Sequence, residues 1–199
     1  MSAPQLVLAS GSSARRALLL GAGLRFSVTV STVAEEALKT QLLTAKAAPI
    51  EIAAVLANAK AAQVSQTEPG LVIGADQTLD LNGTLFSKPN SLADLGHQLA
   101  QLRGQRHSLH SAIALARDGQ VVWQDVVSAH LTMRDFSDGF LRAYLADHGQ
   151  DVLGCVGGYK LESAGVQLFD QIDGDYFTIL GLPLTGLLGA LRLFGVVMT

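Results

Sequence analysis

Apolar positions along the chain follow two different periods, and the switches between them mark its elements. An apolar, β-prone run from Leu6 stops at the small hydroxyl residues Ser10, Ser12 and Ser13, and the pattern then predicts a helix over residues 14–20, with Ser12 or Ser13 as N-cap. Residues 26–30 alternate as a strand should. A less regular piece with Glu35 and Glu36 follows, and an alanine-rich helical pattern over 50–66 ends before Pro69-Gly70. Residues 71–75 are a short continuous apolar run, which predicts a buried strand with Asp76 at its carboxyl end. Asn82-Gly83 inside residues 79–86 signals a hairpin, closed by Lys88-Pro89. A helix over 92–102, stopped by Gly104, precedes a second hairpin that pairs 107–116 with 120–127 across Asp118-Gly119. Residues 131–135 read as strand running into loop, and residues 137–148 as a capped helix. A stretch dense in glycine, aspartate and aromatics comes next, and a final apolar helix over 184–194 begins behind Pro183. Strands and helices mix without strict βαβ alternation, and hairpins are frequent. The prediction is an α/β fold on a mixed sheet rather than a regular doubly wound one.

Bulk composition narrows the class. The chain has 199 residues, 49% of them hydrophobic and 16% charged, enough for a real core in one domain or two small lobes. Its 14 Lys and Arg residues form no dense run and the net charge is −3, which argues against a non-specific nucleic-acid surface. No segment reaches the roughly 18 uninterrupted apolar residues of a membrane span, and no secretion signal is legible. Cys155 is the one cysteine, so an internal disulfide and a cysteine-built metal site are excluded, and a cytoplasmic protein is expected.

Candidate chemistry concentrates at few positions. The Ser10-to-Arg16 turn gathers free backbone N–H groups, the hydroxyls of Ser10 and Ser12, a positive helix end and two guanidinium groups, a set suited to a phosphate. An ordinary strand-to-helix turn with solvated arginines fits these residues equally well. Asp76 stands where ligands of α/β sheets collect, and its carboxylate suits a divalent cation or the activation of water; the alternative is a turn opener paired with a lysine. Lys60 and Lys88, each by itself a surface lysine, would with Arg15 and Arg16 supply the positive charge a triphosphate needs. Glu35 is a second, weaker metal-binding candidate. The five histidines lack zinc-site spacing, and His107 and His110, on opposite faces of a strand, read as structural. No G-x-S-x-G elbow surrounds Ser10, the glycines at 154–158 do not make G-x-G-x-x-G, and Cys155 reads as a core residue. Tyr159 and Tyr176 suit either stacking on a base or filling the core.

In order and spacing, Ser10-x-Ser12-x-x-Arg15-Arg16, Gly74-Ala-Asp76-Gln77, Ser87-Lys88-Pro89, Leu102-x-Gly104-x-x-His107 and Asp173-Gly-Asp-Tyr176 through Gly181-Leu-Pro-Leu184 make a set. With it the chain resembles the Maf family of nucleoside triphosphate pyrophosphatases, once named for inhibition of septum formation. The resemblance runs from Leu6 to about Leu193. It implies a single domain over residues 1–199, two lobes around a central cleft with a mixed, twisted central sheet and flanking helices, often as a homodimer. It also implies cleavage of a nucleoside triphosphate to the monophosphate and pyrophosphate, with Mg²⁺ or Mn²⁺ at Asp76 and Glu35 and with Asp76 as the catalytic carboxylate. Ser10, Ser12, Arg15, Arg16, Lys60 and Lys88 would meet the phosphates, and Gln77, Tyr159, Lys160 and Glu162 the base.

Two departures from the family pattern bear on this. Ser13-Ala14 replaces a common proline, which leaves the chemistry intact. Cys155-Val-Gly-Gly-Tyr-Lys-Leu-Glu162 replaces a segment that usually begins with lysine and ends in glutamine. The change is similar to the branch that hydrolyses 7-methyl-GTP rather than the one preferring dTTP and UTP. A purine with N1–H and an exocyclic amine offers two donors to one carboxylate, and a cationic methylated ring adds attraction. The alternatives are a Glu162 that only pairs with Lys160, a dTTP/UTP-type enzyme, and a catalytically silent nucleotide-binding regulator of cell division.

Overall fold

In the computed structural model, which describes residues 5–198, a mixed seven-stranded sheet runs β2-β1-β3-β5-β6-β7, with β4 pairing with β3. The strands are β1 (Leu6–Leu8), β2 (Ser27–Val28), β3 (Leu71–Leu81), β4 (Thr84–Phe86), β5 (Arg106–Arg117), β6 (Gln120–Met133) and β7 (Phe169–Asp173). Helices α1 (Ser13–Gly21), α2 (Glu35–Thr44), α3 (Pro49–Val64), α4 (Leu92–Leu102), α5 (Asp138–Val152), α6 (Tyr176–Ile179) and α7 (Leu184–Leu193) connect them. The α/β fold on a mixed sheet is therefore the one the pattern predicts. Both hairpin turns are of the kind that asparagine, aspartate and glycine favour: Asn82 and Gly83 have φ of 53° and 85°, and Asp118 and Gly119 have 52° and 78°.

The chain divides into two compact units. The first comprises residues up to Gln77, His110–Val127, and those from Asp175 onward. Its β1 runs parallel to both β2 and β3, with Leu6 opposite Leu71 and Leu8 opposite Ile73. Alternation along these strands buries both faces. Leu6, Leu8, Leu71 and Ile73 join Leu19, Leu184, Leu187 and Leu191 in one cluster. On the other face the alanines of α3, Ala53, Ala57 and Ala61, meet Ala112, Ala114 and Ala116 of β5. Small side chains on both surfaces let helix and sheet approach closely. Gly74 takes this furthest, since a Cβ there would lie 2.2 Å from the Ala57 carbonyl and 2.6 Å from the Ala61 nitrogen.

The second unit comprises Thr78–Leu109 and Ser128–Gly174. Here α4 packs on α5, and β6 pairs antiparallel with β7, His130 opposite Asp173. The Ser137 hydroxyl caps α5 by accepting from the Phe140 nitrogen. Buried Leu95, Leu99, Leu102, Leu131, Phe136, Tyr144 and Leu168 are among its core residues.

Several elements differ from the sequence-based expectation, β7 among them, which lies in the stretch read only as dense in glycine, aspartate and aromatics. The irregular piece around Glu35 is the helix α2, which has no buried residue and hence no apolar stripe for periodicity to show. The strand expected over 71–75 continues to Leu81, because Gln77 and Asp80 interrupt the apolar run without leaving the ladder. The strand expected over 120–127 and the strand residues expected from 131 onward belong to the single strand β6, which ends at Met133. The four-residue α6 is too short for a periodic signal and is set by its Asp175 cap.

Candidate active site

The first unit brings Asp76, Lys60 and Glu35 together. Asp76 points from β3 to the face that α3 covers, as alternation from Val72 and Gly74 dictates. Because Gly74 has no side chain, α3 lies against the strand, and Lys60, one residue before Ala61, reaches Asp76: Nζ lies 2.6 Å from Oδ1. The same ammonium lies 2.7 Å from Glu35 Oε2. Lys60 and Asp76 are only 7% and 9% exposed, whereas Glu35 is exposed at the start of α2. Gln63, one turn beyond Lys60 on α3, accepts at Oε1 from the Ser31 hydroxyl (3.0 Å) and the Thr32 nitrogen (3.1 Å), which holds the approach to α2. Gln63 is not among the sequence candidates; its spacing of three from Lys60 is the signal that places it on the same helix face.

Beside β1, Ser12 caps α1 by accepting from the Arg15 nitrogen. The Ser10 hydroxyl accepts from the Ser12 nitrogen (3.3 Å) and from Arg15 Nη1 (3.1 Å). Arg15 also donates from Nη1 to the Ala75 carbonyl at 2.9 Å and from Nε to the Gly181 carbonyl at 2.8 Å. The guanidinium thus ties the serine turn to the residue before Asp76 and to the loop between α6 and α7. Burial lowers its pKa, against the opposing influence of Asp76 and Glu35. Arg16, by contrast, is exposed.

Gln77, expected at the base, is a brace. Its amide nitrogen faces Ser111 Oγ at 2.9 Å, the Thr178 carbonyl at 3.1 Å and the Ile179 carbonyl at 3.0 Å. Two N–H donors meet three oxygens, so no N–H is left for a ligand and only the Oε1 acceptor could meet one. Ser111 and Asp175, whose carboxylate caps α6 at Phe177 and Thr178, complete this brace; Asp175 lies within the Asp173-Gly-Asp-Tyr176 motif, whereas Ser111 does not stand out in the sequence. Tyr159 is 6% exposed and fills the core, so it does not stack on a base, while Tyr176 is 47% exposed. Lys88 and Glu162 are exposed and Lys160 half-buried, all within the second unit. Among the described residues, Lys160 and Glu162 form no ion pair with each other.

A divalent cation fits the donor set. No trio of His, Cys, Asp and Glu gathers among the described residues. Two carboxylates do converge, on the Lys60 ammonium. Hard oxygen donors of this number suit Mg²⁺ or Mn²⁺ when phosphate oxygens and water complete the shell.

These features define an α/β protein with a carboxylate–ammonium cluster beside a serine-rich strand-to-helix turn. The chain belongs to the Maf family: the model for Maf-like protein matches residues 5–194. It is 53% identical over 195 residues to a nucleoside triphosphate pyrophosphatase of Caulobacter vibrioides, 98% of each chain being covered. It is 47% identical over 189 residues to a 7-methyl-GTP pyrophosphatase of Brucella abortus, covering 94% of this chain and 95% of that one. A 7-methyl-GTP pyrophosphatase of Rhizobium meliloti is 46% identical over 195 residues, again with 98% of each covered. No helix among the described residues is long and apolar enough to cross a membrane.

Proposed function

We propose that this protein is a nucleoside triphosphate pyrophosphatase whose preferred substrate is 7-methyl-GTP. The convergence of Asp76 and Glu35 on Lys60, beside Ser10, carries the reading. The relatives named above support it.

In the proposed reaction, Asp76 orients a water molecule and takes its proton as the water oxygen bonds to the α-phosphorus. The bond from that phosphorus to the bridging oxygen breaks, and pyrophosphate departs with the electron pair. Lys60 offsets carboxylate and phosphate charge at the same point. The Ser10 hydroxyl already accepts twice, from Ser12 and Arg15, so its own proton is the one it has to give to a phosphate oxygen. Arg15 holds that hydroxyl and the strand carrying Asp76, while Arg16 adds positive charge. Mg²⁺ or Mn²⁺ at Asp76 and Glu35 would supply charge stabilisation on the phosphates. The test is pyrophosphate release from 7-methyl-GTP, GTP, UTP and dTTP, with and without Mg²⁺ or Mn²⁺. Release of orthophosphate instead, or no turnover of any triphosphate, rejects the reading.

Glu162 is assigned to the base. Its exposed carboxylate, unpaired with Lys160, supports this over a purely structural role. Glu162→Gln is expected to lower kcat/KM for 7-methyl-GTP relative to UTP by about tenfold, as a charge-assisted bond of about 1.5 kcal/mol is weakened. Unchanged ratios across the four nucleotides would remove Glu162 from base recognition.

A further inference from the structure

Against Gly158 and Tyr159 of the 157–162 segment, within the second unit, lies a buried polar layer that the proposed chemistry does not use. His107 is 1% exposed, and its Nε2 is 2.8 Å from the Tyr159 hydroxyl. The Tyr144 hydroxyl donates to the Gly158 carbonyl at 3.1 Å. Phe169 meets the Tyr159 ring edge-on, with centroids 4.8 Å apart. The backbone above these rings is tightly constrained. Gly157 and Gly158 have φ of 77° and 69°. A Cβ on Gly158 would stand 2.0 Å from Leu95 Cδ1. On the far side, the Ser163 nitrogen and hydroxyl both donate to the Lys160 carbonyl at 3.2 Å.

The layer stays neutral. Burial pushes the His107 imidazole down to about 4 and the Tyr144 hydroxyl up to about 12, and it raises Tyr159 as well. His107 Nδ1 is buried without a hydrogen-bond partner. A structural core would fill this place more cheaply with an apolar ring, since an orphaned buried nitrogen is costly. The bond to Tyr159 is what the imidazole contributes.

We propose that His107 and Tyr159 are positioning residues for nucleotide selection: their hydrogen bond holds the 157–162 segment in one orientation and so presents the Glu162 carboxylate to the base. The inference rests on the assignment of Glu162 given above. Without the bond the segment samples other orientations, the carboxylate meets its base less often, and KM rises for the selected nucleotide alone. Turnover depends on Asp76 and its neighbours, and is expected to hold.

Tyr159→Phe keeps the ring and removes the hydroxyl. Steady-state kinetics on the four nucleotides should be measured for wild type, Tyr159→Phe, His107→Leu, His107→Gln and Glu162→Gln. Tyr159→Phe is expected to raise KM for 7-methyl-GTP by about two- to tenfold, the range of one net hydrogen bond, with kcat and the UTP and dTTP parameters near wild type. His107→Gln, whose amide can still meet the hydroxyl, should recover selectivity that His107→Leu loses. If Glu162→Gln shifts preference while Tyr159→Phe does not, the positioning role is overturned and the Glu162 assignment stands. If Glu162→Gln shifts nothing, that assignment falls and takes the inference with it. A uniform fall in kcat on every nucleotide, with a lowered Tm, would mark a merely structural pair and overturns the proposal too. Tyr159→Phe decides the matter by itself if the His107 variants fail to fold.

Discussion

Asp76→Asn is expected to abolish pyrophosphate release while the protein remains folded. Asparagine matches aspartate in size, and its carbonyl oxygen can still accept from Lys60, which keeps its second partner Glu35 at 2.7 Å. The buried ammonium therefore is not left alone, and the penalty of about 3–5 kcal/mol for orphaning a buried charge is avoided. What is lost, in the proposed reaction, is the group that would receive the proton of water and one of the two carboxylates that would hold the cation. General-base catalysis contributes about 10²–10⁴-fold, so turnover should fall by at least that range. Pyrophosphate release under saturating triphosphate and metal measures the loss, and circular dichroism with a thermal melt checks the fold. Near wild-type turnover in a folded Asp76→Asn protein would reject Asp76 as the base.

Gly74→Ala should act on fold and site together. A methyl group at this position would lie 2.2 Å from the Ala57 carbonyl oxygen and 2.6 Å from the Ala61 nitrogen, both of them backbone atoms of α3 that cannot rotate away. The helix must retreat from the strand, and overpacking of this kind costs about 1–3 kcal/mol. At about 2–4 °C per kcal/mol for a chain of this size, Tm should fall by roughly 2–12 °C. The retreat also draws Lys60 from Asp76, which now sit 2.6 Å apart. Activity below the Tm should therefore drop more than the folded fraction does. A melt unchanged from wild type would show that α3 does not depend on the missing side chain.

Local chemistry was readable directly. Ser12 is the N-cap, one of the two hydroxyl residues the sequence offered, and both two-residue turns formed where asparagine or aspartate preceded glycine. These features depend on neighbours a few positions away, so a linear pattern contains them. The helix α2 was not readable, since none of its ten residues is buried and no apolar stripe distinguishes it. Two tyrosines that looked equivalent in sequence proved different in burial, Tyr159 at 6% and Tyr176 at 47%. Burial is a property of what arrives from elsewhere in the chain.

The candidate site shows the same division. Residue types and order made Ser10, Lys60 and Asp76 candidates, Asp76 because it ends a buried-type apolar run and Lys60, by itself a surface lysine, only in company with the others. Which of them touch was decided by long-range packing. Arg15 bonds the Gly181 carbonyl, 166 positions away in the chain, and Gln77 bonds the Thr178 carbonyl, 101 away. Arg15, expected at the phosphates, and Gln77, expected at the base, both brace loops through those partners.

By itself the sequence determined the mixed α/β architecture, its turns and caps, and the inventory of charged and hydroxyl groups, all of which follow from periodicity and short-range backbone preference. Only the tertiary structure decided that Lys60 bridges Asp76 and Glu35, that Arg15 and Gln77 brace the loops around them, and that His107 binds Tyr159. Hydrogen-bond partners are chosen by distance in space, and distance along the chain carries no record of it.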